Sequence, residues 1–195
     1  MIKKGCSCFG YVLCFFAVIF LLAVLFPSKN TDNSSAPKAT ATPVVTLSPT
    51  ATPEESAMYY GSVHGGNDLT MEKAKIITQS SDSKLSLNLN IHYTGDTDSK
   101  RCIRALVEFV LHVSQDMKDC PGDFDNIQYV ITSSGYVDKY GNKTTPVVFT
   151  ARLDRETLSK INYSYFLGSL YSSTSQALNA FDSHYVHNLL SDGVY

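Results

Sequence analysis

An α+β fold is predicted for residues 57–195 of this chain: an antiparallel sheet of about four strands in two hairpins, with helices packed on one face. Three observations predict it. Leu85, Leu87, Leu89 and Ile91 alternate with Ser86, Asn88, Asn90 and His92, the period of a half-buried strand. Cys102, Leu106, Phe109, Val110, Val113 and Met117 recur at spacings of three and four, the period of an amphipathic helix. Strand-like runs and helix-like runs also follow one another twice, which suits two layers. An N-terminal transmembrane helix and a disordered linker precede this domain in the predicted organisation.

Phe9 to Phe26 reads FGYVLCFFAVIFLLAVLF, with no charged side chain. A helix of that length rises about 27 Å, close to the ~30 Å hydrocarbon core of a bilayer. The lipid bilayer is therefore the first partner the sequence names. Lys3 and Lys4 precede the stretch, and no acid occurs before Asp32. Positive charge beside a span stays on the cytoplasmic side. The expectation is a short cytoplasmic segment at 1–8, an anchor at 9–26 and the rest of the chain outside a plasma membrane, single-pass. A cleaved signal peptide is the alternative. Its apolar region would run about 7–15 residues to a small-residue cleavage site, whereas this one is longer and ends in Leu25-Phe26-Pro27. Cys6, Cys8 and Cys14 do not follow the order of a lipoprotein signal, because none comes after both an apolar run and a small-residue box.

Residues 27–56 hold five of the seven prolines, and most other positions are Ser, Thr or Ala. Such a stretch buries too little apolar surface to offset its ordering entropy. Proline also favours extended backbone at its own position and the one before. The segment reads as a spacer, in the manner of the linkers on surface proteins of Gram-positive bacteria.

From Met58 onward the chain carries 12 Lys+Arg against 15 Asp+Glu. A slightly acidic domain argues against nucleic acid as partner, since nucleic acid selects basic surfaces. His64-Gly65-Gly66-Asn67-Asp68 reads as a loop leading into it. Thr70 to Ile77 reads as helical at its start, with Thr70 as cap, and then as strand. Ser80 to Ser83 is a turn, and Leu85 to Ile91 is the first clear strand. Gly95 to Asp98 ends in helix-capping residues, and Ser99 to Met117 is the helix they start. Pro121-Gly122 breaks the chain again. Ile127 to Tyr136 is rich in β-branched and aromatic residues, Val137 to Asn142 is a turn, and Thr144 to Leu153 pairs back as a hairpin. Asp154 caps a short helix, Arg155 to Ile161. A loop rich in Tyr and Ser follows, and Thr174 to Leu190 reads as a last helix with a break near Asp182-Ser183.

Val137-Asp138-Lys139-Tyr140-Gly141-Asn142, then Pro146-Val147-Val148, then Arg155-Glu156-Thr157 with Lys160-Ile161-Asn162-Tyr163, form a recognisable succession. It resembles a small α+β domain of membrane-anchored and exported proteins of Gram-positive bacteria, some of them like those of mobile elements. The resemblance spans roughly Lys73 to His187. It implies the fold and an outside location, and it assigns no catalytic residue. Turn chemistry explains much of the same succession: Asp138 and Asn142 suit turns, and Gly141 allows positive φ.

No motif calls for a cofactor or a metal. His184 and His187 with Asp182 lack a fourth ligand. Asp116, Asp119, Asp123 and Asp125 do not have the alternate spacing of a calcium loop. Cys102 reads as a buried residue of the predicted helix and Cys120 as a loop thiol beyond it; the helix ends lie about 27 Å apart against the ~7 Å between bridged Cα atoms, so a bridge needs the helix to end early, near Val113. The N-glycosylation patterns at Asn33, Asn142 and Asn162 matter only in a eukaryotic secretory pathway.

Three classes of function stay open. The first is a binding head on a spacer, meeting an unknown protein or envelope component. Tyr163, Tyr165, Phe166, Tyr171 and Tyr185 are its candidate interaction surface, since tyrosine and serine together suit polar, adaptable contacts. The same aromatics would equally close the core against the last helix. The second is an envelope hydrolase using Glu108 or Asp154 with a nearby histidine, which needs those groups in one concave pocket. The third is a structural component of an envelope or mobile-element assembly.

Overall fold

The structure is a computed structural model that describes residues 47, 48, 50–80, 83–96, 98–137, 140–188 and 190. The chain divides into two units, Met1–Val44 and Val45–Tyr195, and all described residues belong to the second. The expectations for residues 1–8, the span at 9–26 and most of the spacer lie outside the described residues. Among the described residues no helix is long and apolar enough to cross a membrane.

The first element is α1, Pro53–His64, and it begins inside the stretch read as spacer. Its start is a capping box. The Thr52 hydroxyl accepts from the Glu55 amide at 3.2 Å, and the Glu55 carboxylate accepts from the Thr52 amide at 2.9 Å. Pro53 stands in the first turn, where its missing N–H costs nothing. The spacer expected at 27–56 therefore stops short of Pro53. His64, expected in a loop, closes the helix.

Strand β1, Leu69–Thr78, follows without any helical start, so the cap expected at Thr70 is a strand residue. It pairs antiparallel with β2, Leu85–Tyr93. Helix α2, Ser99–Met117, then crosses the sheet, with the Asp98 carboxylate accepting from the Arg101 amide at its start. Strand β3, Asn126–Ser133, lies beside β2 and parallel to it. The all-antiparallel sheet of two hairpins is thus corrected to a mixed one. The reason is length. Nineteen helical residues rise about 28 Å, which matches a nine-residue strand of about 30 Å. The helix returns the chain to the end of the sheet where β2 began, and the next strand must then run the same way.

A small ribbon of β4, Tyr136–Val137, and β5, Lys143–Thr144, interrupts what read as continuous strands. Gly135 at φ 97° turns the chain out of β3 into it. Strand β6, Val147–Asp154, pairs antiparallel with β3, as the hairpin expectation held. Three short helices follow: α3, Arg155–Lys160; α4, Tyr163–Ser169; and α5, Thr174–Leu178. The last helix expected to reach Leu190 ends at Leu178. Strand β7, Ser183–Val186, replaces its second half and pairs with β6. The five-stranded sheet has the order β1-β2-β3-β6-β7.

The core lies between one face of this sheet and the helices. Leu87, Ile127 and Leu153 form one row across three strands, Leu89, Tyr129 and Ala151 the next, and Ile91, Ile131 and Phe149 a third. All nine are buried. Helix α2 covers them with the six residues expected and also buries Ile103, Val107, Leu111 and Ser114. The wider arc has a cause: α1, α4 and α5 all pack against α2 in addition to the sheet. Within this core the Ser114 hydroxyl and the Tyr129 phenol meet at 2.8 Å, so neither is left unpaired. Burial pushes the Tyr129 phenol far above its ordinary range.

Candidate interaction surface

Arg155 opens α3 and straps the preceding loop. Its guanidinium donates to the carbonyls of Gly122 at 3.0 Å and Cys120 at 2.6 Å and lies over the Phe124 ring. Asp154, expected to cap α3, makes no side-chain cap bond; its carboxylate takes the Arg152 Nε at 3.0 Å instead. Asp182 does the capping from across the fold. One carboxylate oxygen accepts from the Asp154 amide at 2.6 Å and the other from the Thr157 hydroxyl at 2.8 Å. Asn162 then starts α4, with its side chain accepting from the Tyr165 amide at 3.1 Å.

These bonds set the five aromatics of the candidate surface apart from one another. Tyr163 points inward, and its phenol donates to the Leu158 carbonyl at 2.9 Å. It belongs to the core, and burial raises its phenol above the ordinary range. Tyr165 and Phe166 form an edge-to-face pair with ring centroids 5.2 Å apart. Tyr165 is 54% exposed, and Phe166 is partly buried against the core. Together with Thr157, Lys160, Ile161, Asn162 and Ala180 they line an open cleft of about 390 Å³. Tyr171 is exposed and lies under the Arg104 guanidinium, 4.2 Å from the ring centroid. Tyr185 stands on the edge strand β7, its ring 6.5 Å from that of His187. Of the five, Tyr165 and Phe166 line this cleft together.

A second cleft, of about 340 Å³, is lined by Tyr60 of α1, Asp116 of α2, Asp119, Cys120 and Pro121 of the following loop, and Leu47, Ser48, Ala51 and Ser56. Burial first, and then the charges of Asp116 and Cys120, raise the Tyr60 phenol above its ordinary range. Asp116 also accepts from His64 Nε2 at 2.7 Å, with hydrogen placement on the ring set by tautomer.

The groups required for hydrolysis do not converge in either cleft. Glu108 stands 4.0 Å from His112 on α2, and Asp154 is held by Arg152. Neither cleft's lining includes Glu108, Asp154 or a histidine. Among the described residues no group of three His, Cys, Asp or Glu side chains is placed to hold a metal. Both carboxylate oxygens of Asp182 are engaged in capping, away from a metal role beside His184 and His187. Cys102 and Cys120 are free and buried, and burial pushes the Cys102 thiol up to about 11.

No known protein family, curated protein or solved structure matches this chain. The reading of the surface consequently rests on its own geometry. The open Tyr165–Phe166 cleft brings the apolar side chains of Ile161, Phe166 and Ala180 beside the polar ones of Thr157, Lys160 and Asn162. Lys160 is steadied by Glu156 one turn earlier on α3. An arrangement of that kind offers an aromatic or aliphatic anchor a shallow apolar contact with hydrogen-bonding groups around it. The cleft forms where α3 ends and α4 begins, a junction that the sequence showed only as a Tyr/Ser-rich stretch.

Proposed function

We propose that this chain is a single-pass membrane protein of a Gram-positive cell surface. Its C-terminal α+β head is carried outside on the spacer and binds a protein or envelope component. The apolar stretch Phe9–Phe26, the lysines before it and the Pro/Thr-rich segment after it support the location. The observation that carries the binding role is the Tyr165–Phe166 cleft, in which an exposed tyrosine stands beside the apolar side chains of Ile161, Phe166 and Ala180.

Site-specific photo-cross-linking in intact cells tests this reading. A photoreactive residue at position 165 is expected to give a discrete cross-linked species, and one at the still more exposed position 171 is not. The species at 165 should disappear when Phe166→Ala and Ile161→Ala strip these apolar side chains from the cleft. Equal cross-linking at 165 and 171 would remove the assignment of this surface. External protease on the same cells tests the location, because the head must be cut without lysis. The hydrolase reading has only the Glu108–His112 pair in its favour.

A further inference from the structure

Four titratable side chains meet where α1 packs on α2. His64, the last residue of α1, and His112 of α2 stack with ring centroids 4.9 Å apart and planes 11° from parallel. His64 Nε2 lies 2.7 Å from an Asp116 carboxylate oxygen, and His112 Nε2 lies 4.0 Å from a Glu108 oxygen. All four are partly buried. The His64 ring is the only titratable group that α1 contributes to this stack. Tyr60, one turn earlier on α1, adds a phenol that faces the same Asp116 and Cys120. From the sheet side α1 meets Met71 of β1, which carries no charge.

We propose that the stacked His64–His112 pair is a pH-sensitive latch that holds α1, the element next to the spacer, on α2 and lets it go in mildly acid surroundings. The physical argument is one of charge. With at most one ring protonated, the stack is attractive, and Asp116 and Glu108 balance the charge. A second proton sets two imidazolium rings face to face within 5 Å in a partly desolvated place, where Coulomb repulsion is stronger than in water. The Glu108 carboxylate is more distant and half exposed, so it offsets this only in part.

The state of His112 agrees. Burial first, and then the facing His64 ring, lower its pKa below the ordinary histidine value of 6.5, against the opposite pull of Glu108 and Asp116. A histidine whose docked pKa is depressed stabilises the docked state while it is neutral. That stabilisation is complete above the ordinary histidine range and is lost as pH falls below it. Releasing α1 exposes His112 and restores its ordinary proton affinity, so acid favours release. Release would add the twelve residues of α1 to the spacer and uncover Met71.

Hydrogen exchange on the full-length protein in detergent, read by mass spectrometry, tests the latch. After correction for the intrinsic rate, protection of the α1 amides relative to β2 and β3 should fall roughly threefold or more between about pH 7.5 and about pH 5. His112→Gln, which cannot take the second proton, should make that ratio independent of pH. His64→Phe keeps a flat ring and the burial on His112 but removes the facing charge, so it should diminish the pH dependence, which covers the case in which His112→Gln simply frays α1. An unchanged ratio in the natural chain, or an undiminished pH dependence in both variants, overturns the proposal.

Discussion

At the scale of single residues, the succession from Arg155 to Tyr163 turns out to be architectural. Arg155 straps the loop at 120–122, Thr157 reaches Asp182, Asn162 caps α4 and Tyr163 fills the core. Sequence reasoning identified turn and cap chemistry there, yet it chose the wrong carboxylate. Asp154 occupies the cap position, and Asp182 makes the bonds. That substitution was not legible, because Asp182 reaches α3 only once Ser183–Val186 is a strand beside β6, and those residues read as helix. A direct test follows from the geometry. Asp182→Ala removes acceptors from the Asp154 amide and the Thr157 hydroxyl and should cost about 1–2 kcal/mol. Asp154→Ala removes a half-exposed ion pair with Arg152 and should cost less than about 1 kcal/mol. Urea unfolding of both variants decides the order, and a larger loss at position 154 would return the capping role to Asp154.

At the scale of elements, α2 was legible from its apolar spacing and α1 was not. The buried positions of α1 are Pro53, Ser56, Ala57 and Gly61, which are small or imino residues without an apolar stripe. They permit close approach to β1 in place of burying large side chains. Gly61 shows this most directly. A Cβ there would lie 2.5 Å from Met71 Cε and 2.9 Å from Met71 Cβ. The methyl end of Met71 can swing aside, but its Cβ is fixed to the strand backbone. Gly61→Ala gains roughly 1 kcal/mol of helix propensity. The contact costs more, since overpacking runs to about 1–3 kcal/mol. The expected net result is a destabilised head in which α1 amides lose protection before those of β2. If Gly61→Ala instead raises the thermal midpoint, the approach of α1 to β1 is looser than these distances require. The capping box of Thr52 and Glu55 was the one signal in the sequence that could have found α1, and its place at the end of a proline-rich run concealed it.

At the scale of the whole molecule, the sheet and its helical cover were readable, and the direction of one strand pair was not. Alternation in β2 and β3 states which face is buried and says nothing of which way a neighbouring strand runs. Only the length of α2 against the length of β2 settles that. The parallel pair leaves β1 as an outer strand, joined to the sheet through β2 alone, so its buried Leu69 and Met71 depend on cover from the helical layer. Helix α1 supplies that cover, and Pro53 at its start packs within reach of Gly122, which takes φ 120°. Where the head begins therefore matters for its stability. A head beginning at Val45 keeps the capping box, Pro53 and the segment lining the cleft with Asp116. One beginning at Ala57 lacks Thr52 through Ser56 and leaves α1 without its first turn. The shorter head is expected to be less stable by about 2 kcal/mol or more, from the lost cap and the uncovered apolar surface. Its urea midpoint should fall, and the β1 amides should lose more protection than those of β3 and β6, which lie inside the sheet and keep the cover of α2. Equal midpoints for the two heads would mean that α1 lies outside the cooperative unit, and the latch at His64 would then have nothing to hold.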